Sequence, residues 1–152
     1  MRPTSTPTIT LTELDTAIAE RLAEHDLRYT ATRQAIVAAL RDVLGPVTLP
    51  ELVDAAALPT SSAYRNLAQL EEAGVVHRIV TTGDHARYEL AESLAGHHHH
   101  LVCDTCGDVR DVTLDDALER RLHTAFESLA DADGFTLHNH TIDLHGTCTN
   151  CT

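Results

Sequence analysis

Four cysteines fall in two close pairs, Cys103-x-x-Cys106 and Cys148-x-x-Cys151, and the chain has no others. A C-x-x-C turn lets both thiolates of a pair approach one ion, and two such pairs supply the sulfurs of a tetrahedral zinc site. That shell is closed and leaves no position for a substrate. The spacing therefore predicts a structural Zn2+ on Cys103, Cys106, Cys148 and Cys151 and no catalysis there. Two disulfides are the alternative, and they belong to oxidising compartments. The opening MRPTSTPTIT has no basic segment followed by an apolar one, which predicts a cytoplasmic chain with reduced thiols.

Directly before the first pair stands His97-His98-His99-His100. Successive side chains on a strand leave by opposite faces, so His97 and His99 would serve one site and His98 and His100 another. Each needs partners. His77 and Glu89, on two strand-like runs, are candidates to meet His98 and His100 across a hinge. Glu119 on a helix and His140 on a late strand are candidates to meet His97 and His99. Both are N/O donor sets without sulfur, suited to Fe2+, Zn2+, Mn2+, Co2+ or Ni2+. His25, His85, His123, His138 and His145 stand outside them, with His85 and His145 the ones to check as further ligands.

The elements that must position these residues follow from periodicity and punctuation. Leu11, Leu14, Ile18 and Leu22 predict a helix over 10–25, and Ile36, Leu40 and Val43/Leu44 a second over 32–44, ended by Gly45-Pro46. Thr48-x-x-Glu51 is a capping box with Pro50 in the first turn, opening a third helix. Thr60, Ser61 and Ser62 offer N-caps for a fourth, with Gly74 just past its end. The runs 75–80 and 86–90, joined by Thr81-Thr82-Gly83-Asp84, predict a β-hairpin. Three helices, a recognition helix and a hairpin make a winged helix. Strands are expected over 97–102, 109–113 and 135–144, with a helix over 114–130.

At 152 residues the chain is one domain or two small ones. Its net charge is −12: residues 1–85 carry 7 Arg against 11 Asp/Glu, residues 86–152 carry 4 against 12, and there is no Lys. Such an acidic chain binds DNA weakly and salt-dependently except where Arg residues cluster. The fourth helix offers Ser61, Ser62, Tyr64, Arg65 and Asn66, and Arg28 lies before the second. Arg65 could read guanine, and Tyr64 a thymine methyl or a phosphate. No apolar run reaches the roughly 18 residues of a membrane span. A zinc-dependent hydrolase would need an open coordination position and a general base, and no H-E-x-x-H is present. A metal buffer protein would have no use for a winged helix.

Pro59-Thr60-Ser61-Ser62-Ala63-Tyr64-Arg65-Asn66-Leu67, Tyr88-Glu89-Leu90, His97 to Gly107 and His140 to Cys151 together resemble the ferric uptake regulator (Fur) family of bacterial metal-dependent repressors, over roughly Leu27 to Cys151. The resemblance implies an α+β fold: an N-terminal winged helix-turn-helix DNA-binding domain, then a small α/β dimerisation domain with a four-cysteine zinc site. The expected division is a disordered tail at 1–9, the winged helix at 10–91, a hinge at 92–96 and the dimerisation and metal-binding domain at 97–152. It further implies a homodimeric, metal-activated repressor of metal homeostasis genes for iron or zinc uptake, bound to a palindromic double-stranded DNA operator. Neither enzymatic activity nor a membrane or small-molecule partner is implied. Carried over by position, Glu89, His98 and His100 fall on regulatory positions, His77 where zinc-sensing members place an Asp, and His97, His99, Glu119 and His140 on an additional site. Arg28 falls where members carry a basic residue that enters the minor groove. No cysteine is left for a sensory site, and the loop before the third helix reads Gly45-Pro46-Val47 without a His. The second divalent metal is therefore left as Fe2+, Zn2+ or Mn2+, with nickel sensing also open.

Overall fold

The computed structural model describes residues 10–43, 45–81 and 86–152. The expected tail at 1–9, Leu44, most of the expected hairpin turn and His85 lie outside the described residues.

Four helices build the first half. Helix α1 (Leu11–Glu24) opens on a capping box between Thr10 and Glu13 and buries Leu14, Ile18 and Leu22, one every fourth residue. Helix α2 (Ala31–Asp42), capped by Thr30, buries Arg33, Ile36, Val37 and Leu40. Helix α3 (Leu49–Ala56) has the expected capping box: Glu51 N donates to Thr48 Oγ1 at 3.4 Å, and Thr48 N to Glu51 Oε2 at 2.7 Å. Helix α4 (Thr60–Glu72) departs from expectation at its start. Its N-cap is Pro59, with no side-chain cap bond, so Thr60, Ser61 and Ser62 lie inside the first turn. The fixed φ of proline sets the entry there instead of a hydroxyl. Gly74, at φ +70, turns the chain out of α4.

Three short strands complete this half, in the order β1-β3-β2. The hairpin pairs β2 (Val76–Ile79) with β3 (Arg87–Leu90), His77 opposite Glu89. Strand β1 (Val47–Thr48) adds to the far edge of β3; two residues carry no legible period, so the sequence reading missed it. The core joins α1–α4 to Val75, Val76, Tyr88 and Leu90, and also takes in Leu94 from a one-turn helix α5 (Glu92–Ala95) inside the expected hinge.

The second sheet has the order β5-β4-β6. Strand β4 (His99–Cys103) runs antiparallel to β5 (Val109–Val112), His100 opposite Asp111, and parallel to β6 (Asp143–Gly146), His100 opposite Asp143. Helix α6 (Asp116–Ala132), capped by Asp115, lies between β5 and β6 in sequence. Of the strand expected over 135–144, only the end joins a ladder; 135–142 has no regular structure. The fold is α+β.

Packing and an arginine both tie the halves together. Ile79 of β2 packs with Val102 and Val109 of the second sheet in a small buried cluster. Arg87 of β3 donates from Nε to Gly107 O at 2.8 Å and from Nη1 to Pro46 O at 3.1 Å.

Thr48→Ala removes the side-chain half of the α3 capping box. It should lower unfolding stability by about 1 kcal/mol, read as an earlier urea midpoint with an unchanged slope. An unshifted midpoint would show that the box contributes nothing.

Candidate metal centres

Among the described residues three groups of donors converge, each with its ligand atoms within 4.8 Å of one another: Cys103, Cys106, Cys148 and Cys151; Glu89, His98, His100 and Asp111; His97, His99, Glu119 and His140.

The cysteines are brought together because β4 and β6 run in parallel and end side by side, Cys103 opposite Gly146. All four are free thiols. Cys106 Sγ and Cys148 Sγ are 3.8 Å apart. That is far beyond a disulfide bond, and it matches the roughly 3.8 Å edge of a tetrahedron with 2.3 Å Zn–S bonds. The backbone N–H of Cys148 donates to Cys103 Sγ at 3.3 Å. This bond and other backbone donors lower the Cys103 thiol to about 6, while the hydrogen bonds that the Cys151 thiol donates to Cys148 and Cys106 push it up to about 12. The donor set fits Zn2+.

The hinge group is built around Glu89, a carboxylate on β3 that is only 8% exposed. His98 Nε2 lies 3.1 Å and His100 Nε2 3.2 Å from Glu89 Oε2. Both rings are held from behind: His98 Nδ1 is 2.9 Å from Gly96 O, and His100 Nδ1 is 2.9 Å from Asp143 Oδ1. Those contacts fix Nδ1 as the protonated nitrogen when Nε2 ligates, the outer arrangement that metal-binding imidazoles need. The 3.1–3.2 Å spacings also suit neighbouring donors on one ion with bonds of about 2.1 Å.

His77 does not join the converging donors. Its Nδ1 sits 3.1 Å from Glu89 Oε1, as its cross-strand register dictates, but its ring is half-exposed on the outer side of β2. Asp111 takes the fourth place, which the sequence reading missed. It faces His100 across the β4–β5 hairpin, with Oδ1 4.0 Å from His100 Nε2. No local spacing marks it: its place follows from the β4–β5 register, which puts 111 opposite 100.

In the second group Glu119 of α6 is central. His97 Nε2 is 2.8 Å and His140 Nε2 2.9 Å from its Oε1, and His99 Nε2 is 3.0 Å from its Oε2. His140 Nε2 is buried and not aligned for a hydrogen bond despite that distance. A buried nitrogen with its lone pair unused is costly, and a cation among these four donors would satisfy it. His99, 1% exposed, is likewise aimed into the group.

The charges agree with cation binding. Burial would raise the Glu89 carboxyl, but hydrogen bonds from His100, His98 and His77 outweigh it and hold it at about 2. The bond to Glu89 lifts His98 to about 9 and raises His100 as well. Burial raises Asp111.

Helix α4 turns Ala63, Leu67 and Leu70 to the core and Ser61, Tyr64 and Arg65 outward, Tyr64 being 63% exposed. Ser62 is half-buried, and its carbonyl accepts from Asn66 Nδ2 at 2.9 Å. Buried Arg33 donates to Gln69 Oε1 on α4 at 2.6 Å and also to the carbonyl of exposed Arg28, which fixes α4 against α2. His145 pairs with Asp104 at 2.8 Å and is in neither N/O group; His123 sits 3.3 Å from Glu127.

The ferric uptake regulator family model matches residues 24–145. A ferric uptake regulation protein of Legionella pneumophila is 34% identical over 91 residues, which cover 60% of this chain and 62% of that relative. The aligned stretch thus spans less than two thirds of the relative's length. A ferric uptake regulator from Pseudomonas aeruginosa with manganese has a similar structure, with TM-score 0.66 and 27% identity over 86% of this chain and 96% of that one. A zinc uptake regulator complexed with zinc and DNA gives a TM-score of 0.55 and 26% identity over 97% of this chain and 96% of that one.

Two outcomes follow from the geometry. A cation entering the hinge group must displace protons from His98 and His100. Divalent-metal affinity there should climb as pH rises from about 6.5 to about 9, with protons released in calorimetry; a flat profile would refute the arrangement. Without metal the signs are opposite for the two partners. His98's contribution is complete below 6.5 and lost as pH climbs through about 9. Glu89's is complete above 4.5 and lost as pH falls through about 2, so the metal-free contact is strongest between those inner limits. Separately, Cys148→Ser should unfold the second sheet or abolish its assembly, seen as lost chemical-shift dispersion; an unchanged fold would remove the structural role.

Proposed function

The chain belongs to the ferric uptake regulator family, and we propose on that premise that it is a metal-responsive, DNA-binding transcriptional repressor of metal homeostasis genes. The observation that carries the reading is the Glu89 carboxylate of the winged half held by His98 and His100 of the other half. A divalent ion on Glu89, His98, His100 and Asp111 would clamp one interdomain posture out of an ensemble. His77 would stay as a neighbour of Glu89. Zn2+ on the four cysteines would be structural, and His97, His99, Glu119 and His140 would form the additional site.

The DNA-binding face would be Ser61, Tyr64 and Arg65 on α4, with Ser62 at its edge and Arg28 reaching a phosphate or the minor groove. The zinc uptake regulator structure that this chain resembles holds DNA, which supports this assignment. Dimerisation is supported by apolar side chains left outside the core of the second half, Leu118, Leu129, Phe135, Leu101 and Leu144, with Phe135 71% exposed. A two-fold pair would set two α4 helices roughly 34 Å apart, facing successive major grooves of a palindromic operator. The division at 10–91, 92–96 and 97–152 is part of this reading, as are a cytoplasmic location and the lack of enzymatic activity. No described helix is long and apolar enough to cross a membrane.

The sensed metal follows from competition among ions on N/O donors. The related Pseudomonas regulator is described with manganese, and Fe2+, Mn2+ and Zn2+ all suit imidazole and carboxylate ligands. A mobility-shift assay on DNA upstream of the chain's own gene is the test, with the zinc on the four cysteines retained and the hinge metal stripped. Binding should be lost and then restored by one of Fe2+, Mn2+ or Zn2+, and His98→Ala should bind DNA poorly with each. Equal binding with and without the hinge metal would overturn the switch.

A further inference from the structure

The second donor group does not belong to the C-terminal half alone. His97 has both ring nitrogens engaged: Nε2 faces Glu119, and Nδ1 bonds to the carboxylate of Glu92. Glu92 is the first residue of α5, which directly follows β3 and its Glu89 by way of Leu90 and Ala91. Helix α5 is anchored elsewhere. Leu94 is buried in the core of the winged half, and Ala95 N and Gly96 N donate to Ala91 O and Glu92 O at 3.0 and 2.7 Å. The path from the second group therefore runs Glu119, His97, Glu92, α5, and then into the same core that carries Glu89.

We propose that Glu92 couples the two N/O sites: it holds His97 from behind, so that a divalent cation on His97, His99, Glu119 and His140 restrains α5 and thereby raises the affinity of the Glu89 group for its own ion. This rests on the reading of both groups as metal sites. Glu92 is to His97 what Asp143 is to His100, an acceptor on the far ring nitrogen that sets tautomer and orientation. The difference lies in where the acceptor is mounted. Asp143 sits on β6, in the same sheet as the ring it orients. Glu92 sits in the hinge itself, on α5, so ordering His97 also orders the hinge. A segment ordered by one ion need not be ordered again by the next, which is positive coupling. By linkage the hinge ion must favour the second site by the same factor. His99 Nδ1, also buried, has no hydrogen-bond partner, so His97 is the imidazole through which this site is tied across the hinge.

Glu92 is a positioning residue, so its test reads affinity and local order. The full chain with zinc in place on its four cysteines is titrated with chelator-buffered Zn2+, and hinge-site affinity is compared between the natural sequence and His140→Ala, which disables the second site. The expected ratio is about tenfold, within the usual range of coupling between sites. In a Glu92→Ala background the ratio should fall to near one. Glu92→Gln, whose amide oxygen still accepts from Nδ1–H, should keep part of it. Amide exchange at Ala95 and Gly96 should slow on loading the second site when His98→Ala has disabled the hinge site, and should not slow when Glu92→Ala is added. The proposal is overturned if the tenfold ratio survives Glu92→Ala, if the natural sequence shows no coupling, or if Glu92→Ala weakens the hinge site equally in the His140→Ala background. A chain that takes no Zn2+ at either N/O group would overturn the functional reading itself, a result distinct from all three.

Discussion

A buried carboxylate with three imidazoles around it is the constraint on which the rest of this molecule depends. Glu89 would be costly to bury alone, because an unpaired charge loses its hydration without return. Its surroundings answer that cost in either of two ways. With protons on His98 and His100, charge-assisted bonds hold it, which is why its acidity and their basicity move in opposite directions. With a divalent cation in their place, the same nitrogens turn their lone pairs inward. On the proposed reading the hinge contact would be a competition between protons and an ion for one anionic pair, Glu89 and Asp111. An ion would gain over protons by also gathering Asp111, whose carboxyl burial otherwise raises.

That competition needs a rigid frame, and the four-cysteine cluster supplies it. Strand β4 carries His99 and His100 and ends at Cys103; β6 carries Asp143, which orients His100, and leads on to Cys148. A slip of one residue between them would turn every side chain to the other face. It would also part the two cysteine pairs, so zinc binding and ligand orientation specify the same register. Arg87 fastens the loop after Cys106 to the wing through Gly107 O. Ile79 packs against Val102 and Val109 beside it. One side of the hinge is thus fixed by packing, and the other, at Glu89, would be left to ions.

The sequence made legible whatever depends on local spacing. Two C-x-x-C turns, alternation along His97–His100, the Thr48–Glu51 capping box and the period of α1 all lie within a few residues of themselves, where backbone geometry alone decides. What was not legible depends on register or on three-dimensional path. Asp111 enters through the β4–β5 hairpin, Asp143 through a parallel pairing with a strand forty residues away, and Glu92 through a turn of helix hidden in an apparent linker. His77 shows the converse. Its cross-strand contact with Glu89 was foreseeable, but which side of the carboxylate its ring would take was not. Strand β1 is too short to carry a pattern, and the α4 cap fell to Pro59 because a fixed φ competes successfully with a hydroxyl.

The acidity of the chain narrows how an ion could control DNA binding. Two divalent ions per chain would not cancel a net charge of −12, and charges separated by more than about 8 Å are largely screened at physiological salt. Long-range attraction to a duplex is therefore weak with or without metal, and a change in total charge could not serve as the proposed switch. The outward face of α4 offers a single cation, Arg65, with Ser61 and Tyr64 beside it. On the proposed reading so few contacts would hold a duplex only when two copies presented them together at the spacing of successive grooves, since each adds little alone and the second becomes intramolecular once the first is made. The interdomain angle would set that spacing. Control by geometry, through a carboxylate that either does or does not gather its ion, is the mode open to a surface this poor in positive charge.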